Sequence, residues 1–167
     1  MLPGMYRHAV SCMATTILAL SACTLDSTPN VLVLSDEPVM ATAAHQWHEL
    51  GYTVGESDAP ECLDVRDALA GEPCVVAIVV QRWPMLKERY GTYAMSDRAS
   101  RLVVIDDRFT DYYDLLTMAT HEMGHILLDA GHLEPGEIGV MSESGVGWTP
   151  TDADYALACR SVGAGCP

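Results

Sequence analysis

Positive charge is scarce in this chain. Nine Lys and Arg stand against 23 Asp and Glu over 167 residues, a formal net charge of −14. Residues 1–22 hold Arg7 and no acid, so without them 8 basic residues face the same 23 acids. Such a balance excludes nucleic acid as a partner and makes a poor binder of anionic membrane surfaces. The acids are scattered rather than blocked, which argues for a solvated surface and against a disordered acidic tail. A membrane-spanning run is missing as well: the apolar stretch from Ala9 to Leu20 falls short of the roughly 20 residues a bilayer requires. No C-x-x-C pair occurs, so a cysteine zinc cage is not expected. There is no internal repeat.

What the N-terminus does have is a leader pattern. Arg7 and His8 precede the apolar run, and Leu20-Ser21-Ala22-Cys23 closes it. This ending resembles the lipobox of bacterial lipoproteins, which implies cleavage before Cys23 and acylation of that residue. An ordinary secretory signal, or an N-terminal helix of the domain, would give a similar run. The lipoprotein reading divides the chain into a signal peptide over 1–22, a Ser/Thr/Pro-rich tether over 23–30 and one domain over 31–167. The expected location is the bacterial cell envelope, periplasmic or surface-facing, with the acylated Cys23 in a lipid membrane. Export would leave Cys62, Cys74, Cys159 and Cys166 in an oxidising compartment. Four cysteines allow three pairings, and proximity favours Cys62 with Cys74 and Cys159 with Cys166.

Along the domain, Val31-Leu32-Val33-Leu34 reads as a buried strand. Ser35-Asp36-Glu37-Pro38 supplies a capping side chain, early acid and a first-turn proline for a helix. Val39, Ala43, Trp47 and Leu50 share one face of that helix, and Gly51 stops it. His45 and His48 on it read as a polar face rather than as ligands. Tyr52-Thr53-Val54 predicts a second strand, 58–73 a loop or short helix, and 74–80 a central strand buried on both faces. Tyr93-Ala94-Met95 and 101–105 predict two more strands. A helix through 112–127 follows, with Thr110 or Asp111 as its cap, then a Gly-rich loop over 131–147. A last helix opens with Thr149-Pro150-Thr151-Asp152. The order suits an α+β domain with a twisted mixed sheet, two packed helices and a loop-rich lower part.

The chemistry sits in the 112–127 helix. His121-Glu122-Met123-Gly124-His125 puts two imidazoles one turn apart, where both reach a single Zn2+ and the Glu leans over the metal's open side. Two histidines satisfied by packing are the bland alternative. A catalytic zinc needs a third ligand. His132 is the first candidate, because Gly131 allows a sharp turn just before it. Asp129 shares the helical face of His121 and His125, but three ligands over two turns diverge from one ion. Glu137 and Glu143 are further rivals, in a loop too rich in glycine to resemble the helix that usually brings such a ligand.

Here the chain resembles the metzincin clan of zinc metallopeptidases, whose pattern is H-E-x-x-H-x-x-G-x-x-H followed by a methionine-bearing turn. The residue-level likeness covers 121–154. It implies His121, His125 and His132 as zinc ligands, Glu122 as the catalytic base and acid, and Met141 as the structural Met-turn. Met141 would otherwise be a gap-filling side chain. The likeness also implies an active-site helix, a Met-turn loop and a C-terminal helix in the fold, and a peptide substrate bound in extended form along a strand within 93–105. The chain departs from the pattern by one residue: Gly131 stands where the third His is expected, and Leu128 where the glycine is. Glu143 replaces the tyrosine ligand of astacin- and serralysin-like members, so the likeness is nearer to matrixins and adamalysins. The implied activity is zinc-dependent peptide hydrolysis. A non-catalytic peptide- or zinc-binding module on the same fold, or a zinc hydrolase of a non-peptide amide such as a cell-wall bond, are the rival readings.

Overall fold

The computed structural model describes residues 29–145, 147–164 and 166. The expected signal peptide, Cys23 and most of the tether lie outside them. The described chain is mixed α and β, with a four-stranded mixed sheet and five α-helices. β1 (Val31–Leu34), β2 (Val76–Trp83), β3 (Ala94–Asp97) and β4 (Leu102–Asp106) are ordered β1-β2-β4-β3. β1, β2 and β4 run parallel, and β3 returns antiparallel along β4 with Ser96 opposite Val103. β3 is therefore a sheet edge among the described residues.

α1 (Pro38–His45) and α4 (Tyr112–Leu127) pack against each other, and α4 crosses β3 and β4. The apolar face read from sequence is the face that is buried: Val39, Ala43, Trp47 and Leu50 all belong to the core with Leu116, Met123 and Leu127. Each of the buried Val, Leu and Met side chains among them contributes about 1.5–3 kcal/mol relative to exposure. The backbone under that face differs from the expected single helix. α1 ends at His45, and a short 3-10 turn, His48–Leu50, carries the chain to Gly51 at φ +99°. Its cap also differs. Glu37 takes the N-cap position without a side-chain cap bond, and its carboxylate pairs with Arg82 at 3.1 Å.

Other expectations need correction. Tyr52-Thr53-Val54 is not a strand; only Val54 makes a bridge, to Val31. Tyr52 is instead pulled into the core, where its hydroxyl donates to Leu127 O at 2.6 Å and burial raises its pKa. β2 is central, but it alternates. Val76 and Ile78 are buried while Ala77 and Val79 are only half covered, so it is not buried on both faces. The 58–73 segment carries the short helix it was read as able to form, α2 (Val65–Leu69), and an unexpected short helix, α3 (Leu86–Tyr90), follows β2. The last helix, α5 (Asp152–Val162), starts two residues after Pro150, with Thr151 as N-cap.

Cys62 pairs with Cys74 and Cys159 with Cys166, the local connectivity expected. Two disulfides fit an oxidising, exported environment. Among the described residues, no helix is long and apolar enough to cross a membrane.

Candidate metal centre

Asp111 caps α4, accepting from Tyr113 N at 2.9 Å and Asp114 N at 3.2 Å. The helix then carries His121, Glu122 and His125 over its last two turns, with the first two residues buried and His125 half-buried. Each helical histidine is fixed from behind. His121 Nδ1–H donates to Val140 O at 2.6 Å, and His125 Nδ1–H donates to Ala130 O at 2.9 Å. A carbonyl only accepts, so both Nδ1 atoms hold the proton and both Nε2 atoms present a lone pair. Burial lowers the pKa of both rings, which keeps them neutral.

The three histidines meet at these lone pairs. His121 Nε2 lies 3.2 Å from His125 Nε2 and 3.2 Å from His132 Nε2, and the three ligand atoms fall within 4.8 Å of one another. Tetrahedral zinc with Zn–N bonds of 2.0–2.1 Å sets neighbouring nitrogens about 3.3 Å apart. The His121 and His125 lone pairs, brought face to face, repel, and a cation between them removes that repulsion. The donor set therefore fits a divalent metal ion held by His121, His125 and His132.

Two of the rivals for third ligand are engaged elsewhere, and none joins the histidine cluster. The Asp129 carboxylate faces Arg98 at 3.4 Å and Arg66 at 3.7 Å. Glu137 accepts from Glu134 N at 3.1 Å. Glu143 is exposed and borders the cleft without joining the histidine cluster. The route to His132 also departs from expectation. The left-handed residue after α4 is Asp129, at φ +46°, and not Gly131. Aspartate tolerates that conformation better than most side chains.

Glu122 borders a cleft of about 390 Å³ together with Ser96, His125 and His132. A hollow of about 270 Å³ adjoins it, sharing His121 and Glu122 and bordered also by Tyr93, Met118 and Gly145. Burial raises the Glu122 pKa, against the opposing effect of the Ser96 hydroxyl, which donates to its Oε2 at 2.7 Å.

No protein-family model matches this chain, and no curated protein matches it. The function must be read from the site.

Met141 was singled out in the sequence as a turn residue, but the residues that hold its turn were not. Met141 is wholly buried in a tight turn, where Ser142 N donates to Gly139 O at 3.2 Å. That turn is held by Asp154 of α5. Its buried carboxylate accepts from Val140 N at 3.0 Å, Met141 N at 2.8 Å and Thr151 N at 2.8 Å. Asp154 thereby fixes the peptide whose carbonyl orients His121. Gly139 is the partner requirement, since a Cβ there would stand 2.5 Å from Asp154 Oδ2. Gly124 serves the same end inside α4: a Cβ would meet Trp47 Cζ2 at 2.6 Å and also the Met141 sulfur. The clue available in sequence was a glycine in the middle of a helix, a costly choice unless something must approach closely.

Proposed function

We propose that this protein is a zinc-dependent endopeptidase of metzincin-like type. The observation that supports it most is the convergence of three imidazole Nε2 atoms beside a buried carboxylate that opens on a cleft. Zinc held by His121, His125 and His132 would supply an acidified water and polarise the scissile carbonyl. Glu122 takes the proton of the attacking water and delivers it to the leaving amine. The edge strand β3 flanks the cleft through Ala94, Met95 and Ser96, which suits an extended peptide paired along it. A purely structural metal site has no use for a buried carboxylate next to its ligands, which favours catalysis over a binding module.

The test compares wild type with Glu122→Ala on a mixed peptide library, with metal content measured alongside. Wild type should carry about one zinc per chain. The variant should keep its zinc and lose about 10²- to 10⁴-fold in hydrolysis. Survival of activity in the variant would sink the mechanism. An uncut peptide library alongside a cleaved cell-wall amide would reassign the substrate. The same reading places the protein on the cell envelope through an acylated Cys23. Fatty-acid labelling lost on Cys23→Ser checks that anchor.

A further inference from the structure

The side chain that holds Glu122 comes from the sheet. Ser96 stands in β3 on the same side as buried Ala94, two residues away, and both border the cleft. Its Oγ–H donates to Glu122 Oε2 at 2.7 Å, across 26 residues of sequence. Glu122 is otherwise without a hydrogen-bond donor among the described residues, so Oε1 is left for whatever enters the cleft. The torsion that turns a carboxylate about its last carbon–carbon bond is broad and soft. One charge-assisted bond to a hydroxyl anchored in a sheet is enough to select its orientation.

We propose that Ser96 is a positioning residue for Glu122: its hydroxyl pins one carboxylate oxygen so that the other is presented to the reacting water. This role rests on Glu122 acting as the base. Because Ser96 belongs to the strand beside which the substrate would lie, the base is referenced to the substrate's own scaffold. A fixed proton acceptor matters more to the reacting complex than to binding, and its loss is read in kcat rather than KM.

The experiment uses the zinc-loaded protein and the peptide cleaved best in a mixed library. Ser96→Ala should lower kcat by about tenfold with KM little changed, the size usual when a group that orients a site residue is removed. Zinc content should stay at the wild-type value, and the melting temperature should fall by only several degrees, as for one lost hydrogen bond to a charged group. Ser96→Thr keeps the hydroxyl on a residue suited to strands and should restore kcat. A second readout needs no turnover. In metal-free protein labelled with 13C at Glu carboxyl carbons, the Glu122 signal is identified by its loss in Glu122→Gln. That signal should move in Ser96→Ala and return in Ser96→Thr. Wild-type kcat in Ser96→Ala, or a loss of kcat with the Glu122 signal unmoved, overturns the role of Ser96. Turnover surviving in Glu122→Gln overturns the assignment of the base itself, and the role of Ser96 with it.

Discussion

His121, Glu122 and His125 occupy one helix, whereas His132, Val140 and Met141 lie on a loop with no regular structure of its own. On the helix, backbone geometry alone sets two imidazoles one turn apart. On the loop nothing local fixes His132 or the Val140 carbonyl. They are held by Asp154 from α5, which accepts from Val140 N and Met141 N, and by one bond across the loop from Leu133 N to Met141 O at 2.9 Å. A helical half can be laid out by periodicity, and a loop half must be propped. A metal ligand set spanning both is only as good as the props.

Removing ligands tests whether the two halves share one ion. His121→Ala and His132→Ala should each reduce metal affinity by more than the 10- to 100-fold typical of an outer partner. Asp129→Ala should leave affinity unchanged and cost less than about 1 kcal/mol, since its ion pairs are exposed. Zinc titration decides, and the reverse order would move the third ligand to Asp129.

Asp154→Ala is the sharpest blow to the props. It strands several buried N–H donors and should destabilise the fold by about 3 kcal/mol or more, as hydrogen bonds to charged groups are worth about 1.5–3 kcal/mol each. Denaturant melts measure this. Zinc affinity should fall as well, because Val140 O would lose its fixed place behind His121. Unaltered zinc affinity would mean that the loop half is self-supporting.

Gly124→Ala sets helix propensity against packing. Alanine favours a helix over glycine by about 1 kcal/mol. Overpacking against Trp47 and Met141 costs about 1–3 kcal/mol, so the net should be a modest loss of stability. A stabilised variant would show that the helix and the Met141 turn are not in close contact.

The smallest effect lies outside the site and provides a control on acid sensitivity. Arg108 beside Asp106, helped by the Lys87 and Arg108 backbone N–H groups, holds that buried carboxyl well below the usual carboxylate value. Its contribution to stability is present above the unfolded value of about 4 and is lost as pH falls below it. Asp106→Asn should flatten the pH dependence of stability below pH 4, with zinc binding at neutral pH unaffected.

Much of the fold was legible because it follows from short-range pattern. The strands at 31–34 and 102–106, the helix capped by Asp111 and the two disulfides are all set by alternation, capping chemistry or closeness in sequence. The failures have long-range causes. Tyr52 left its expected strand because its hydroxyl finds Leu127 O, 75 residues away. Glu37, expected as an early acid inside the helix, stands at its N-cap and pairs with Arg82, 45 residues away. Asp129 makes the sharp turn expected at Gly131, and its carboxylate is flanked by Arg66 of α2 and by Arg98 in the turn after β3.

By itself the sequence determined the pair of helical histidines, the carboxylate between them and the candidacy of His132, because a helix repeats every 3.6 residues whatever surrounds it. Only the tertiary structure decided that the three Nε2 atoms converge, that Val140 and Ala130 carbonyls orient the rings, and that Ser96 meets the Glu122 carboxylate and Asp154 holds the turn. Those partners lie between 5 and 26 residues from the groups they hold. Hydrogen bonds across such loops depend on where the sheet and α5 come to rest, which no local pattern encodes.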